Sequence, residues 1–401
     1  MISKKMEALG VKKSIIREIF EYAKARKAEI GEENVFDYCI GNPSIPAPEI
    51  VSETLIRLLT ESDPTVLHGY TSAQGDAGVR AAISDYIQKT YGAPADEKLI
   101  YLTAGAAAAL TISLNAILSD DTSEEVIVFA PFFPEYRVFT EKAGGRLVPV
   151  PCSEPDFQID FDAFESAITE KTKAVIVNSP NNPTGVILSE ASILRLCDIL
   201  RSAEKRFGHE IFLVSDEPYR ELVYGNKKVP YLTSYYDDTI VCYSFSKSLS
   251  LPGERIGYIL VSPKAASAQQ VYAAVAGAGR ALGFVCAPSL FQYMIPACLG
   301  KTSDISVYES NRTLLYHALT SYGYHCANPD GAFYLFVKTL EPDAYRFCET
   351  AKKYELLLVP SDDFGFPGYV RIAYCVTPEQ IQRSLPAFRL LAEEYQNKRG
   401  Q

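Results

Sequence analysis

Three short stretches of this 401-residue sequence carry side chains that together make a reactive set. Asn178-Ser179-Pro180-Asn181-Asn182-Pro183-Thr184-Gly185 offers amides. Ser215-Asp216-Glu217-Pro218-Tyr219 places a carboxylate three residues before a phenol. Ser244-Phe245-Ser246-Lys247 supplies an amine, with Arg255 eight residues beyond it. Taken singly, each has an ordinary reading: a turn, a helix cap, a solvated charge. In this order they suit chemistry at the α-carbon of an amino acid. Breaking a Cα–H bond needs an electron sink, and a protonated pyridine ring conjugated to an imine is one. A lysine forms the imine and, once displaced, moves the proton, the part expected of Lys247. A carboxylate beside the ring nitrogen keeps it protonated, the part expected of Asp216. Tyr219 and Asn182 are suitable donors to a phenolic oxygen on the ring. Arg255, Ser244 and the free N–H groups opening a helix expected over residues 103–118 suit a phosphate.

Such groups work only when regular elements hold them together. β-branched runs at 98–103, 126–129, 146–150, 174–177, 211–214, 240–243 and 256–261 alternate with amphipathic segments. In one of these Ile193, Leu196, Cys197 and Leu200 share a face; in another Val79, Ile83, Tyr86 and Ile87 do. The alternation predicts an α/β fold with a mainly parallel seven-stranded sheet, helices on both faces and ligands at the carboxyl edge of the strands. The three reactive stretches each follow a strand-like run. The last hundred residues differ: runs at 332–337, 356–359 and 369–373 lie close together, and a long helix opens at Thr377, Pro378 and Gln380, a capping box with Pro in first position. This reads as a smaller α+β domain. We expect residues 51–288 to form a large domain, and 1–50 with 289–401 a small one, with a cleft between them.

Composition narrows the choice further. A formal net charge of −10 and no Lys/Arg cluster argue against a nucleic-acid partner. No apolar run is long enough to span a bilayer, and the first twenty residues lack the apolar core of a secretory signal. Nine cysteines without a C-x-x-C pair suggest reduced thiols in a cytoplasmic protein. The four histidines, His68, His209, His317 and His325, form no H-E-x-x-H pattern, so no metal site is expected.

The three stretches resemble the class I/II aminotransferases of pyridoxal-phosphate fold type I, aspartate-aminotransferase-like. The resemblance runs from Gly41-Asn42-Pro43 through His68-Gly69-Tyr70, Gly75 and Gly105-Ala106-Ala107 to Gly331-Ala332-Phe333-Tyr334 and Tyr369-Val370-Arg371-Ile372. It implies pyridoxal 5'-phosphate as cofactor, and ping-pong transfer of an amino group from an L-amino acid to a 2-oxo acid. It further implies Lys247 as the imine lysine, Asp216 as the ring-nitrogen partner, and Asn182 and Tyr219 as donors to the phenolic oxygen. Phe133, within Pro131-Phe132-Phe133-Pro134-Glu135-Tyr136, matches the aromatic that stacks on the ring. Ser244, Arg255, Gly105 and the Ala106–Ala107 backbone match the phosphate cup. Tyr70 matches a tyrosine reaching the phosphate of a neighbouring subunit, which implies a homodimer. Arg371 matches the clamp for the substrate α-carboxylate, and the resemblance implies that the Gly41 backbone lies over that carboxylate.

The sequence departs from the family in places. Gly105-Ala106-Ala107-Ala108-Ala109 lacks the Ser or Thr that many relatives have there, and Ser361 stands where glycine is frequent. Arg280, thirty-three residues after Lys247, lies near the spacing of an arginine that reads a distal carboxylate across the dimer, which favours dicarboxylic donors. A surface or interface ion pair is the competing reading. A carbon–sulfur β-lyase on the same scaffold would use nearly the same residues. A nicotinamide-dependent dehydrogenase would need a G-x-G-x-x-G after the first strand, which is absent. A cofactor-binding regulator would need an added DNA-binding segment, for which there is no basic helix-turn-helix.

Overall fold

The computed structural model describes residues 2–11, 14–119 and 123–399. Seven strands form the main sheet: β1 (Ile100–Thr103), β2 (Glu125–Ala130), β3 (Arg146–Pro151), β4 (Thr172–Asn178), β5 (Phe212–Asp216), β6 (Thr239–Ser244) and β7 (Gly257–Val261). Their spatial order is β1-β7-β6-β5-β4-β2-β3. Every neighbouring pair is parallel except those involving β7, which runs against both β1 and β6. All residues of β2, β5, β6 and β7 are buried, as expected for strands covered on both faces.

Two apolar clusters lie on opposite faces of this sheet, as the pleat requires. Val126, Val128, Ile176, Val214, Ile240 and Cys242 pack with helices Ala106–Ile117 and Ala268–Ala281. The alternate residues Ile127, Val175, Val177 and Leu213 pack with helix Glu190–Phe207 through Ile193, Leu196, Cys197 and Leu200. Helix Ala77–Tyr91 buries Val79, Ile83 and Ile87 together with β1, β7 and helix Ser289–Cys298.

A second, antiparallel sheet comprises β8 (His325–Cys326), β9 (Tyr334–Lys338), β10 (Val359–Pro360) and β11 (Tyr369–Ala373), in the order β10-β11-β9-β8. Helices Ile305–Ser321 and Pro378–Arg399 cover it through Tyr308, Leu315, Ile381 and Phe388. The N-terminal segment joins this part of the molecule: Phe36–Asp37 pairs in parallel with Leu356–Leu357. The capping box forms by half. Thr377 Oγ1 accepts from Gln380 N at 3.3 Å, but the Gln380 amide donates to Asp37 O at 2.9 Å, tying the helix to that N-terminal segment.

Candidate active site

The three reactive stretches meet at the carboxyl edge of β4, β5 and β6. Asp216 ends β5, Asn178 ends β4 beside it, and Ser244 ends β6. Because these strands are parallel neighbours, the residues that follow them are delivered to one cleft of ≈ 340 Å³. Gly41, Ala106, Ala107, Phe133, Asn182, Asp216, Tyr219, Ser244, Lys247, Arg255 and Arg371 all line it. Gly105 borders it. Tyr70 and Arg280 do not line it; both are exposed, Tyr70 almost wholly (98%). Ile16, Ile40, Asn178, Ser246 and Tyr334 also line the cleft.

Asp216 is held from two directions. Its main-chain oxygen accepts from Asn178 Nδ2 at 2.9 Å, and Asn178 Oδ1 accepts from Asn182 N at 2.8 Å, so the loop after β4 is fastened to the end of β5. Its Oδ2 accepts from the buried Tyr136 hydroxyl at 2.5 Å, whereas Oδ1 is buried without a partner among the described residues. Burial pushes the Asp216 carboxyl up to about 7; Tyr136 opposes this and nearby Glu217 adds to it. Glu217 accepts instead from Ser215 Oγ at 2.6 Å and from the buried Arg220.

Lys247 lies in the four-residue helix Phe245–Ser248, which Ser244 caps by accepting from Ser246 N. Its Nζ donates to Gly41 O at 2.6 Å. Burial brings the Lys247 ammonium down to about 8, helped by the charges of Arg371 and Arg255. Gly41 can approach because it has no side chain: a Cβ there would meet the Tyr334 ring and hydroxyl.

Arg255, Ser244, Ser246 and the start of helix Ala106–Ile117 form the other end of the cleft. Arg255 donates to Ser246 Oγ at 3.2 Å and to Ala104 O at 3.1 Å. Its backbone has φ 48°, a left-handed conformation that a non-glycine residue adopts at a cost of about 1–3 kcal/mol. Gly105, at φ 81°, precedes that helix, and a Cβ on it would lie 2.5 Å from the Arg255 guanidinium. Among the described residues no side chain caps this helix, so its first N–H groups are left for an anion. At the opposite wall Arg371 donates to Asn182 Oδ1 at 3.1 Å and Cys39 O at 2.6 Å, while its Nε is buried without a partner among the described residues.

The sequence model of the family described as aminotransferase class I and II matches residues 33–388. The chain belongs to that family. It is 29% identical over 391 residues to aspartate aminotransferase of Thermotoga maritima, spanning 96% of this chain and 97% of that protein. It is equally similar, 29% over 401 residues, to aromatic-amino-acid aminotransferase 2 of Thermococcus litoralis, with 96% and 97% covered. A crystal structure of an amino transferase from Eubacterium rectale superimposes with a TM-score of 0.96 at 55% identity, covering 98% of this chain and 99% of that one. Aspartate aminotransferase from Thermus thermophilus with maleate gives 0.85 at 26% identity, with 98% and 99% covered. The fold is that of pyridoxal-phosphate fold type I, and the protein is a pyridoxal-phosphate-dependent aminotransferase acting on an amino acid and a 2-oxo acid.

The cleft of this aminotransferase fits its cofactor. The unpartnered Asp216 Oδ1 is an acceptor for a ring N–H, and the uncapped helix with Arg255 suits a phosphate. Sequence reading missed Tyr136, Ser246 and Tyr334. Tyr136 stood within the quoted stretch beside Phe133, and a buried Asp216 needing a donor was the signal for it.

Without cofactor, Asp216 couples folding to pH. Its folded-state pKa is raised, so its stabilising contribution is fullest below its ordinary pKa of 3.8 and is lost as pH rises towards and through about 7. Across that window the cofactor-free protein should lose up to about 1.4 kcal/mol per pH unit relative to Asp216→Asn. Thermal unfolding of both proteins from pH 4 to 8 checks this; parallel curves would contradict it.

Proposed function

We propose that the cleft residues divide the work of amino transfer as follows. One observation carries the reading: a carboxylate with one oxygen held by Tyr136 and the other free shares a cleft with a lysine whose charged form burial disfavours. Pyridoxal phosphate, when bound, supplies the electron sink for the pair released from the Cα–H bond. Asp216 Oδ1 holds the proton on the ring nitrogen. Lys247 holds the cofactor covalently at rest; displaced by substrate, its Nζ accepts the Cα proton and returns it. Asn182 Oδ1 is engaged with Arg371, which leaves its amide N–H to donate to the ring's phenolic oxygen alongside the Tyr219 hydroxyl. Phe133 stacks on the ring. The Gly105, Ala106 and Ala107 backbone, Ser244 and Arg255 hold the phosphate. Arg371 clamps the substrate α-carboxylate, with Gly41 over it, and its free Nε completes a bidentate fork.

In this reading residues 51–288 act as the cofactor-holding domain, and residues 1–50 with 289–401 bring Gly41 and Arg371 to it. The protein works as a cytoplasmic homodimer, in keeping with nine free cysteines. Exposed Val66, Tyr70, Phe284 and Val285 form an apolar surface that a second copy covers, and Cys286 N bonding Ala73 O ties the two stretches together. There Tyr70 reaches the partner's phosphate. Arg280, four residues before Phe284 and exposed, reads a distal carboxylate in the partner's cleft. Aspartate and glutamate are the favoured donors, in keeping with relatives named aspartate aminotransferases.

Donor kinetics test both arginines. Arg371→Lys keeps the charge but loses the fork, and should raise KM for every α-amino acid by roughly ten- to a hundredfold. Arg280→Leu should lower kcat/KM for aspartate and glutamate by roughly ten- to a hundredfold while sparing alanine and aromatic donors. An equal loss for all donors in Arg280→Leu would mark a structural ion pair instead.

A further inference from the structure

Tyr334 lines the cleft without a place in the roles above. Its hydroxyl lies 3.0 Å from that of Tyr219. Across β9 and β11, Tyr334 pairs with Ala373 and Phe336 with Arg371, so Tyr334 and Arg371 are diagonal neighbours on one face. The Arg371 guanidinium lies 4.7 Å from the Tyr334 ring centroid and 5.2 Å from that of Phe364. Tyr334 also fills the space a side chain at Gly41 would need, and Gly41 O is the acceptor for Lys247. One phenol thus touches the proposed ring-oxygen donor, the proposed carboxylate clamp and the backbone that holds the lysine.

The hydrogen-bond direction follows from counting protons. Tyr219 has one O–H, and directing it at the cofactor leaves its oxygen as the acceptor in the 3.0 Å contact, so Tyr334 must be the donor. We propose that Tyr334 is a positioning residue: its hydroxyl fixes the Tyr219 proton on the cofactor's phenolic oxygen, and its ring fixes the plane of Arg371. The inference rests on Tyr219 being the donor to that oxygen. Chained hydrogen bonds strengthen one another in a buried site. A stronger bond to the ring oxygen draws electron density through the conjugated ring from Lys247 Nζ, where it would join the cofactor, and would lower the affinity of that nitrogen for a proton. Among the described residues Arg371, Cys375, Asp216 and Tyr136 are the ionisable groups facing the two phenols, and a single-atom deletion at Tyr334 leaves them in place.

The experiment is a pH titration of the visible absorbance of the holoenzyme. Tyr334→Phe should move the midpoint upward by about half to one pH unit. Its kcat should fall roughly three- to tenfold while KM for the amino donor stays within about twofold, because the ring beneath Arg371 remains. Tyr334→Leu removes the ring as well and should raise KM about tenfold. In a Tyr219→Phe background, Tyr334→Phe should add no further shift. The proposal is overturned where Tyr219→Phe moves the midpoint and Tyr334→Phe does not, or where Tyr334→Phe shifts both backgrounds equally. A midpoint unmoved by Tyr219→Phe overturns the assignment of Tyr219 instead. Tyr334→Phe loses one oxygen atom and keeps the packing, so the comparison does not depend on the Leu variant folding.

Discussion

Replacing Lys247 with alanine should abolish amino transfer, lowering kcat by at least roughly 10⁴, because one substitution removes both the covalent anchor and the proton carrier. Cofactor should still bind, since Arg255, Ser244 and the helix opening at Ala106 are untouched. The amine in question is the one that burial brings down to about 8, so a nucleophilic free amine is accessible near neutral pH. Borohydride reduction of the holoenzyme followed by peptide mapping gives the decisive measurement. The label should sit in the peptide containing Lys247, and a label on another lysine would end the assignment.

Asp216→Ala should separate rate from binding. Turnover at saturating cofactor should drop by about 10²–10³, the usual scale for losing one preorganised electrostatic partner. Cofactor affinity should change far less, because the substitution leaves Arg255, Ser244 and the helix opening at Ala106 in place. The substitution also strands the Tyr136 hydroxyl in the interior, at about 1–3 kcal/mol for a buried donor without an acceptor. Asp216→Asn keeps that acceptor, so comparing the two variants divides structural loss from chemical loss. Turnover near that of the native protein in Asp216→Ala would remove this carboxylate from the mechanism.

What the sequence made legible follows from how local each signal is. Strands β2, β4, β5 and β6 announce themselves by short β-branched runs, and the polar stretches that follow them fall at the ligand edge wherever neighbouring strands are parallel. Lys247, Asp216, Asn182 and Arg255 could therefore be placed from the sequence pattern, Arg371 was placed only by the family resemblance, and all five share one cleft. The direction of β7 could not be read, because a run of buried residues looks the same in either sense. Tyr136 and Tyr334 escaped for another reason. Both stand inside quoted motifs, but each matters through a partner far along the chain, Asp216 and Tyr219 respectively, and no local pattern gives that partner. Ile16 and Ile40 reach the cleft only because the N-terminal segment folds back over it, which no short-range pattern encodes. The helix expected at 103–118 begins at Ala106, since Gly105 adopts a conformation outside the helix to let Arg255 approach.

The pairing of Phe36–Asp37 with Leu356–Leu357, together with the bond from Arg371 to Cys39, sets an order of events during synthesis. The segment that carries Gly41 leaves the ribosome early, yet its strand partner lies some three hundred residues downstream. At about 5–20 residues per second, this segment waits at least roughly fifteen seconds for its docking surface. By then the main sheet, with Asp216 and Lys247, has already been made. On the proposed roles, the nascent chain therefore makes its phosphate-holding groups before Arg371, and a ribosome stalled shortly before residue 350 would expose the first without the second. Cofactor supplied at that stage would meet the groups proposed to anchor it, without the Arg371 wall proposed to select a substrate.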